Sequence, residues 1–343
     1  MKALLELSEL LAVPVIEPKR DRTNFPTTHP NYLGRSINRY VDRADAILLL
    51  DVDVPWLPYG ARRQLVATPR EDARIVQIDV DPLKERIPLW GFPVDLSMAA
   101  DSSVALPALN DMLRGAPTLA SKTERIADRA AKLSGDHEDW RETLTREAQA
   151  NRTATPIRST WLFYMLNKIK NEDAIVVDDS VTNNPFVQDY VDTMRPGTFF
   201  GVGGSSMGWG LPAALGAKLG RMDTPVIGLT GDGSFIFANP VAGLYVARRY
   251  AIPIVQLVLN NRGYAAVKKN FQAAYAEGWS RSTGRIVGVD FEEPPDYAAV
   301  AKACGCMGMT LEEPSKVEGT LTEALAASGR GQSVVIDVRL EPL

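Results

Sequence analysis

Two polar motifs that follow two apolar segments constrain the fold more than any other feature of the chain. The motif GDGS at 231–234 follows the apolar segment 225–230, and NNRGY at 260–264 follows the apolar segment 253–259, with a helical pattern between them. Strand, helix and strand in this order predict two strands of a parallel sheet. Asp232 and Asn261 are then expected at the carboxyl ends of these strands, where such sheets bind ligands.

The donor types in these motifs favour a site for a divalent metal and a diphosphate. A carboxylate from Asp232, an amide oxygen from Asn261 and a nearby backbone carbonyl are hard oxygen ligands of the kind that Mg²⁺ prefers. The bare amide of Gly233 and the amides after it can bind a diphosphate. Either motif alone is a common turn or strand end. Both motifs together, at this spacing, predict a metal that holds a diphosphate.

A glycine-rich block, GGSSMGWGLPAALGAK at 203–218, adds a second specific pattern. With the two motifs it resembles the diphosphate-binding domain of thiamine diphosphate-dependent enzymes of the acetolactate synthase, benzoylformate decarboxylase and pyruvate oxidase superfamily. The resemblance extends through nearly the whole chain. It implies an α/β fold with two doubly wound parallel-sheet domains, a central domain and a diphosphate-binding domain.

The resemblance also implies roles for individual residues. Mg²⁺ would be bound by Asp232, the Asn261 side chain and the Gly263 carbonyl, with diphosphate oxygens and water completing an octahedron. Asn260 would be structural. The expected residues for binding thiamine diphosphate are Thr182, Ser206, Met207, Gly231, Asp232, Gly233, Ser234, Asn261, Gly263 and Tyr264.

Thr182 and Met207 each have an alternative interpretation. The segment DDSVTN at 178–183 resembles the Asn-Glu-Ser-Thr-Ser stretch of benzoylformate decarboxylase-like enzymes, which implies that Thr182 donates to the diphosphate. Val181 departs from the usual hydroxyl there, and an ordinary helix N-cap at Ser180 or Thr182 remains open. Met207 stands where the family places the apolar residue that bends the cofactor, although methionine is also a common core residue.

The two histidines are expected to differ in role. His29 lies in the segment FPTTHP at 25–30, which resembles a benzoylformate decarboxylase loop that carries an active-site histidine. A proton-transfer role suits histidine near neutral pH, but a structural role in the loop is an equally good interpretation. His137 lies in a charged helical segment and is expected to be solvated.

A flavin is expected to be absent. The motif DVDP at 79–82 resembles a strand end that lies near FAD in acetolactate synthases. The arginine-bearing loop that usually accompanies FAD is replaced by DVDVPW at 51–56, which lacks a cation for the flavin diphosphate.

Composition excludes several other classes. The 343 residues carry a formal net charge of −4 with scattered basic residues, which disfavours nucleic acid and anionic membranes as partners. The amphipathic start of the chain does not resemble a signal peptide, and no apolar segment is long enough to cross a bilayer. Cys304 and Cys306 are expected to be packing thiols in a reducing cytoplasm, and on a strand they would point to opposite faces.

The alternation of patterns predicts a central domain at 1–114, a connecting helix or linker at 115–155 and the diphosphate-binding domain at 156–343. Expected helices are 2–11, 34–41, 240–250 and one opened by Thr155-Pro156. Expected strands are 13–17, 46–51, 74–79, 174–177, 225–230, 253–259 and 333–338.

The resemblance starts within the central domain, so the pyrimidine-binding domain and its essential Glu are expected on another polypeptide. The chain is then one subunit of a heteromeric lyase or carboligase that acts on a 2-oxo acid or 2-hydroxyacyl compound, with at least two copies of each chain. The alternatives are a fragment or a non-catalytic regulatory or scaffold subunit. The substrate cannot be predicted, since the partner would build part of the pocket.

Overall fold

The computed structural model describes residues 1–53, 68–84, 93–204, 206–275 and 277–342. They form two compact units, one made of Met1–Lys19 and His29–Asp139 and the other of Arg20–Thr28 and Trp140–Leu343. The expected domain boundaries place 20–28 in the first domain, whereas in the structure this segment belongs to the second unit. The segment 115–155, expected as a linker, is divided between the two units.

The first unit contains a three-stranded parallel sheet in the order β1-β2-β3. Its strands are β1 (Ala46–Leu50), β2 (Arg74–Asp79) and β3 (Leu96–Ala99), and its helices are α1 (Lys2–Leu11), α2 (Ser102–Arg114), α3 (Pro117–Ala120) and the first part of α4 (Thr123–Ala150). The register pairs Leu48 with Val76, and Val76 with Leu96. The flavin-related loop at 51–56 lies partly outside the described residues.

Two elements expected in the first unit do not form. The segment 13–17 makes an isolated bridge from Val15 to Tyr32 rather than a strand, because Gly34 in the facing segment has φ of +75° and is not extended. In 34–41 the helical part is a short 3₁₀ turn at Ile37–Arg39. Gly34 has φ of +75° and Ser36 is extended, so a helix cannot start before Ile37.

The second unit is built on a six-stranded, fully parallel sheet in the order β5-β4-β6-β7-β9-β8. The strands are β4 (Ile175–Asp179), β5 (Phe199–Gly201), β6 (Val226–Gly231), β7 (Val255–Asn260), β8 (Met307–Leu311) and β9 (Val334–Arg339). The helices are α5 (Ser159–Ile169), α6 (Asn184–Tyr190), α7 (Gly210–Gly220), α8 (Asp232–Phe237), α9 (Pro240–Arg249), α10 (Ala265–Ala274), α11 (Trp279–Thr283), α12 (Tyr297–Ala303) and α13 (Val317–Gly329).

The central strands of this sheet are buried on both faces, as expected for a parallel sheet covered by helices. Every residue of β4 and β7 is buried. One core cluster packs α5 and α13 against one face, and a second packs α7, α9 and α12 against the other. The helix expected at Thr155-Pro156 begins instead at Ser159, because Ile157 is extended and bridges to Leu340.

The edge of the sheet at β5 is covered by a segment from early in the chain. The amide of Gly201 donates to the Asp21 carbonyl at 2.9 Å, and Arg22 bridges Phe200 in an antiparallel sense. Further along, the Thr27 amide donates to the Thr193 carbonyl at 3.1 Å. The segment 20–28 therefore supplies hydrogen bonds that the edge strand would otherwise lack.

The strand order defines where this sheet can bind a ligand. From β4 the chain passes to β5 on one side and then to β6 on the other, so the order reverses between β4 and β6. Ligands of open α/β sheets bind at the carboxyl ends of strands beside such a reversal. Asp179 ends β4 and Asp232 directly follows β6.

In the part of the chain that the structure describes, no helix combines the length and apolar character needed to cross a membrane.

Candidate magnesium and diphosphate site

Asp232 lies at the junction of β6 and α8 and is almost fully buried. Its carboxylate accepts hydrogen bonds from the amides of Gly233 at 2.9 Å and Gly263 at 3.0 Å. Burial raises the pKa of Asp232 to about 6, although these amide hydrogen bonds oppose the shift. A buried carboxylate that is costly to ionise is well placed to bind a cation.

Asn260 and Asn261 follow β7 and have different environments. The Asn260 side chain donates to Asp337 at 2.9 Å and accepts from the Arg262 amide at 3.2 Å, which agrees with the expected structural role. The Oδ1 atom of Asn261 is buried without a hydrogen-bond partner. Since buried polar atoms are normally satisfied, this oxygen has a free position for a ligand.

The backbone of both motifs is packed so closely that it requires glycine. A Cβ atom on Gly233 would lie 2.5 Å from Cε1 of Tyr264, and one on Gly263 would lie 2.5 Å from the Val289 carbonyl oxygen. The Tyr264 ring therefore lies against Gly233, and also meets Phe291 edge-on at 4.8 Å. The structure brings together Asp232, Gly233, Gly263 and Tyr264, four of the expected site residues.

The residues present fit the ligands that the sequence predicts. A buried carboxylate, an unpartnered amide oxygen and the Gly263 backbone form a hard oxygen set for Mg²⁺. Gly231, Gly233 and the buried Ser234 lie at the start of α8, where backbone amides can meet a diphosphate. Among the described residues no group of three or more His, Cys, Asp and Glu side chains could hold a metal, so this site depends on one carboxylate.

Asp179 organises the glycine-rich block that follows β5. Its Oδ2 atom accepts hydrogen bonds from the amides of Gly208 at 3.1 Å and Gly210 at 3.0 Å. A Cβ atom on Gly210 would lie 2.7 Å from Cβ of Asp179 and 2.6 Å from Cγ2 of Thr230. Burial raises the pKa of Asp179. One side chain at the end of β4 thus holds both residues that flank Trp209.

A cavity of about 710 Å³ lies beside this block and is lined by Asp21, Arg22 and residues 201–204 and 206–209. Its volume is that of a small-molecule site. Met207, half-buried, and the exposed Ser206 are among the lining residues, whereas Ser205 lies outside the described residues. Arg22 lies over the Phe200 ring at 5.7 Å. Met207 therefore lines a cavity, and its role toward the cofactor stays a prediction.

The segment 178–183 makes no side-chain helix cap. Helix α6 has Asn183 as its N-cap without a side-chain hydrogen bond, so capping by Ser180 or Thr182 is wrong. The Ser180 hydroxyl is buried and unpartnered, Val181 has φ of +37° and is exposed, and Thr182 is half-buried. The role of Thr182 toward a diphosphate stays a prediction.

The histidines and cysteines differ from the expectations in two respects. His137 is buried rather than solvated, and its Nδ1 lies 2.7 Å from the Tyr32 carbonyl oxygen, because this face of α4 packs on the first unit. His29 accepts from the Asn31 amide at 3.1 Å and lies 3.4 Å from Glu9, within the first unit. Cys304 and Cys306 lie between α12 and β8 rather than on a strand, so the alternation of a strand does not orient their side chains.

Sequence reasoning missed three residues of the site region. Asp179 lies in the DDSVTN motif at 178–183, but its contacts to Gly208 and Gly210 depend on the order of the strands in the sheet. Asp21 and Arg22 line the cavity although roughly 180 residues separate them from its other walls, and no local pattern signals that distance. Their one signal is position, since only Thr23 and Asn24 separate them from the FPTTHP segment.

Comparison with known families identifies the chain. A model described as the thiamine pyrophosphate enzyme C-terminal TPP binding domain matches residues 179–338, and one described as the thiamine pyrophosphate enzyme central domain matches residues 1–109. The chain belongs to the thiamine pyrophosphate enzyme family. This confirms the predicted family and the α/β fold class.

Curated relatives agree with this assignment. The chain is 26% identical over 354 residues to a benzoylformate decarboxylase of Pseudomonas aeruginosa, covering 97% of this chain and 57% of the relative. It is 26% identical over 340 residues to an acetolactate synthase of Mycobacterium avium, covering 95% and 51%. The chain thus spans little more than half the length of the curated relatives it matches.

Solved structures show the same fold. A thiamin diphosphate-dependent enzyme from Mycobacterium smegmatis, whose function is given as putative, aligns with a TM-score of 0.73 and 24% identity, covering 99% of this chain and 59% of that one. A 4-hydroxybenzoylformate decarboxylase from Rhodococcus jostii, described as thiamine diphosphate-dependent, aligns with a TM-score of 0.72 and 23% identity, covering 100% and 59%.

Proposed function

We propose that this chain is the magnesium- and diphosphate-binding subunit of a heteromeric thiamine diphosphate-dependent lyase or carboligase that acts on a 2-oxo acid or 2-hydroxyacyl compound. The observation that carries the proposal is the unpartnered, buried Asn261 oxygen, two residues from the Gly263 amide that binds Asp232. Buried amide oxygens normally have a partner, and a cation beside the Asp232 carboxylate would supply one.

The bound cofactor supplies the electron sink for cleavage of a carbon–carbon bond next to a carbonyl, and the protein supplies binding and orientation. Asp232, Asn261 and the Gly263 carbonyl would hold Mg²⁺. Gly231, Gly233, Ser234 and Thr182 would bind the diphosphate, with Tyr264 adding a hydroxyl. Met207 would set the bent shape of the cofactor from the wall of the cavity.

The cavity beside Met207 supports a small-molecule substrate. It contains one cationic side chain, Arg22, whose Nη1 donates to the Asp21 carbonyl at 3.1 Å while the guanidinium remains exposed. A guanidinium with further donors is suited to a carboxylate. The acidic Asp21 also lines this cavity, so net charge alone does not select the substrate.

An apolar surface next to the site supports a partner subunit. The α8–α9 face consists of Ile236, Phe237, Val241 and Tyr245, whose exposed fractions are 39%, 60%, 59% and 55%. The Phe237 ring lies 6.4 Å from the Tyr264 ring, so this face adjoins the diphosphate motif. Contiguous exposed apolar residues mark interaction surfaces. We assign this face to a second polypeptide that carries the pyrimidine-binding domain and its Glu.

Calorimetry on the purified chain with thiamine diphosphate and Mg²⁺ tests the binding part of the proposal. Binding of thiamine diphosphate that requires Mg²⁺ supports the proposal. The proposal is contradicted if no binding is seen, whichever of the two is added first. Turnover of 2-oxo acids after co-purification with the product of a neighbouring gene tests the catalytic part. Full turnover by this chain alone would defeat the two-subunit assignment, whereas cofactor binding without turnover in any assembly would favour a regulatory or scaffold subunit.

A further inference from the structure

Cys304, Gly305 and Cys306 form a tight turn between α12 and β8. The Gly305 amide donates to the Lys302 carbonyl at 2.9 Å and the Cys306 amide donates to the Ala301 carbonyl at 3.0 Å. Gly305 has φ of +76°, as in the left-handed residue that ends many helices. Both cysteines are free thiols and each is partly accessible.

Both thiols lie on the same side of this turn. The Cys304 sulfur is 3.9 Å from the Val241 carbonyl oxygen, and the Cys306 sulfur is 3.7 Å from the Leu244 carbonyl oxygen. These carbonyls belong to α9 and are three residues apart, which is about 4.5 Å along the helix axis. The two sulfur atoms therefore contact a single turn of one helix.

The backbone of the turn meets the distance requirement of a disulfide. The Cα atoms of two residues at positions i and i+2 lie at most about 7 Å apart, even in an extended chain. The segment from Cys304 to Cys306 is folded back, so its Cα atoms are closer than this limit. Disulfides need Cα atoms about 4.4–6.8 Å apart. The glycine between the cysteines supplies the positive φ that brings both side chains to one side.

The surroundings distinguish the two thiols. The Cys304 contact is exposed, whereas the Cys306 contact is partly buried. Burial raises the pKa of Cys306, and the nearby Cys304 thiol adds to the shift, while Arg248 opposes it. A Cβ atom on Gly305 would lie 2.6 Å from both Cδ and Nη1 of Arg248, so a guanidinium covers the glycine between the two cysteines.

We propose that Cys304 and Cys306 form a redox site that a small-molecule disulfide, such as oxidised glutathione, converts into an intramolecular disulfide. The exposed Cys304 thiolate attacks one sulfur of the small disulfide, whose other sulfur leaves as a thiolate and takes a proton. The Cys306 thiolate then attacks the Cys304 sulfur of the mixed disulfide and releases the second thiol. Two protein thiols are oxidised and one small disulfide is reduced.

The order of attack follows from accessibility. A thiol with a raised pKa and partial burial is a poor partner for a bimolecular reaction. In the second step the same thiol reacts with a sulfur held two residues away, where its effective concentration is high. Arg248 stabilises the thiolate at this stage.

The test uses the whole chain, equilibrated with oxidised glutathione, alkylated and analysed by mass spectrometry. The wild type should lose both alkylatable thiols, decrease in mass by two hydrogen atoms and remain a monomer-sized band on a non-reducing gel. Dithiothreitol should restore both alkylatable thiols and the original mass. A wild type that keeps both thiols, or that accumulates a glutathione adduct without closing, overturns the proposal.

Single-cysteine variants locate the steps. Cys306→Ser should retain glutathione on Cys304 as a stable mixed disulfide, because the second thiol is missing. Cys304→Ser should react much more slowly, since the remaining thiol is partly buried. Equal rates for the two variants would overturn the assigned order, and circular dichroism verifies that both are folded. The wild-type measurement decides the proposal even where a variant fails to fold.

Discussion

The amide of Gly263 donates a hydrogen bond of 3.0 Å to the carboxylate of Asp232, from which it is separated by 31 positions in sequence. The bond joins the turn after β7 to the end of β6. Arg262 adopts φ of +64°, and the Asn260 side chain accepts from its amide, so the turn is held in this shape. One carboxylate therefore organises both polar motifs before any metal is bound.

Removal of the Asp232 carboxylate should abolish retention of the cofactor. In Asp232→Ala the site loses its one charged protein ligand, and the affinity for thiamine diphosphate with Mg²⁺ should fall by more than about 100-fold. Asp232→Asn should bind equally poorly but unfold at a higher temperature than the alanine variant, since its amide oxygen can still accept from Gly263. Glu318→Ala, at an exposed position of α13, is the control. Unchanged affinity measured by calorimetry would reject the metal assignment.

Substitution of Asp179 should loosen the glycine-rich block. Asp179→Ala leaves the partly buried amide of Gly208 and the buried amide of Gly210 without an acceptor, and the free energy of unfolding should fall by about 2 kcal/mol. Asp179→Asn retains an acceptor oxygen and should lose less than half as much. Urea unfolding of both variants makes the measurement. If both variants lose the same free energy of unfolding, Asp179 stabilises the chain through its charge rather than through the amide hydrogen bonds.

Truncation of Met207 should separate binding from turnover. Met207→Ala leaves the diphosphate ligands in place, so the affinity for thiamine diphosphate should stay within about threefold of wild type. Turnover by the assembled enzyme should fall by about 100-fold, the scale expected when a reacting group is misplaced by an ångström. Met222→Ala, at an exposed position on the same unit, should change neither quantity. If Met207→Ala lowers affinity and turnover by similar factors, Met207 has an ordinary packing role.

The stability contributed by Asp178 should depend on pH. Burial raises the pKa of this fully enclosed carboxyl group above its usual value of 3.8, so the folded chain binds the proton more tightly than the unfolded chain. Its contribution is present below about pH 4 and is lost as the pH rises through the raised pKa. Asp178→Asn removes the titration. Its free energy of unfolding relative to wild type should therefore increase between pH 4 and 7, by at most about 1.4 kcal/mol per pH unit.

Urea unfolding of Asp178→Asn and wild type at several pH values measures this difference. A relative stability of Asp178→Asn that decreases with rising pH would contradict the direction of the shift.

A charge on the α8–α9 face should weaken association with the proposed partner subunit. Tyr245→Glu places a carboxylate in an apolar surface and should raise the dissociation constant by at least about 30-fold, the effect typical of a central interface tyrosine. Binding of thiamine diphosphate to the isolated chain should not change. Leu219→Glu, equally exposed on α7, is the matched control. Sedimentation or pull-down with the partner tests this, and equal association of both variants would place the interface elsewhere.

The sequence predicts the long, strongly apolar elements of this fold because their burial dominates local preferences. The strands around Asp178, Leu229 and Leu257 lie within two residues of their expected bounds. The predicted carboxyl-end positions of Asp232 and Asn261 are confirmed, while metal binding by them stays a prediction. Short strands such as β5, with three residues, have too few side chains to produce a period.

The residues that could not be predicted all depend on contacts distant in sequence. His137 is buried because α4 packs beside Tyr32, which a charged helical pattern does not reveal. Arg22 lines a cavity because its segment pairs with β5. The two cysteines contact the carbonyls of Val241 and Leu244 on α9, about 60 positions away in sequence.

The pairing of residues 20–28 with the second unit has a consequence for how this gene can be cut. A cut anywhere from residue 29 to residue 139 separates β5 from the segment that hydrogen-bonds to its edge. The C-terminal piece would carry an open strand edge prone to self-association. Whether the gene is split naturally or truncated in the laboratory, the second unit should therefore fold best when residues 20–28 and strand β5 stay on the same polypeptide.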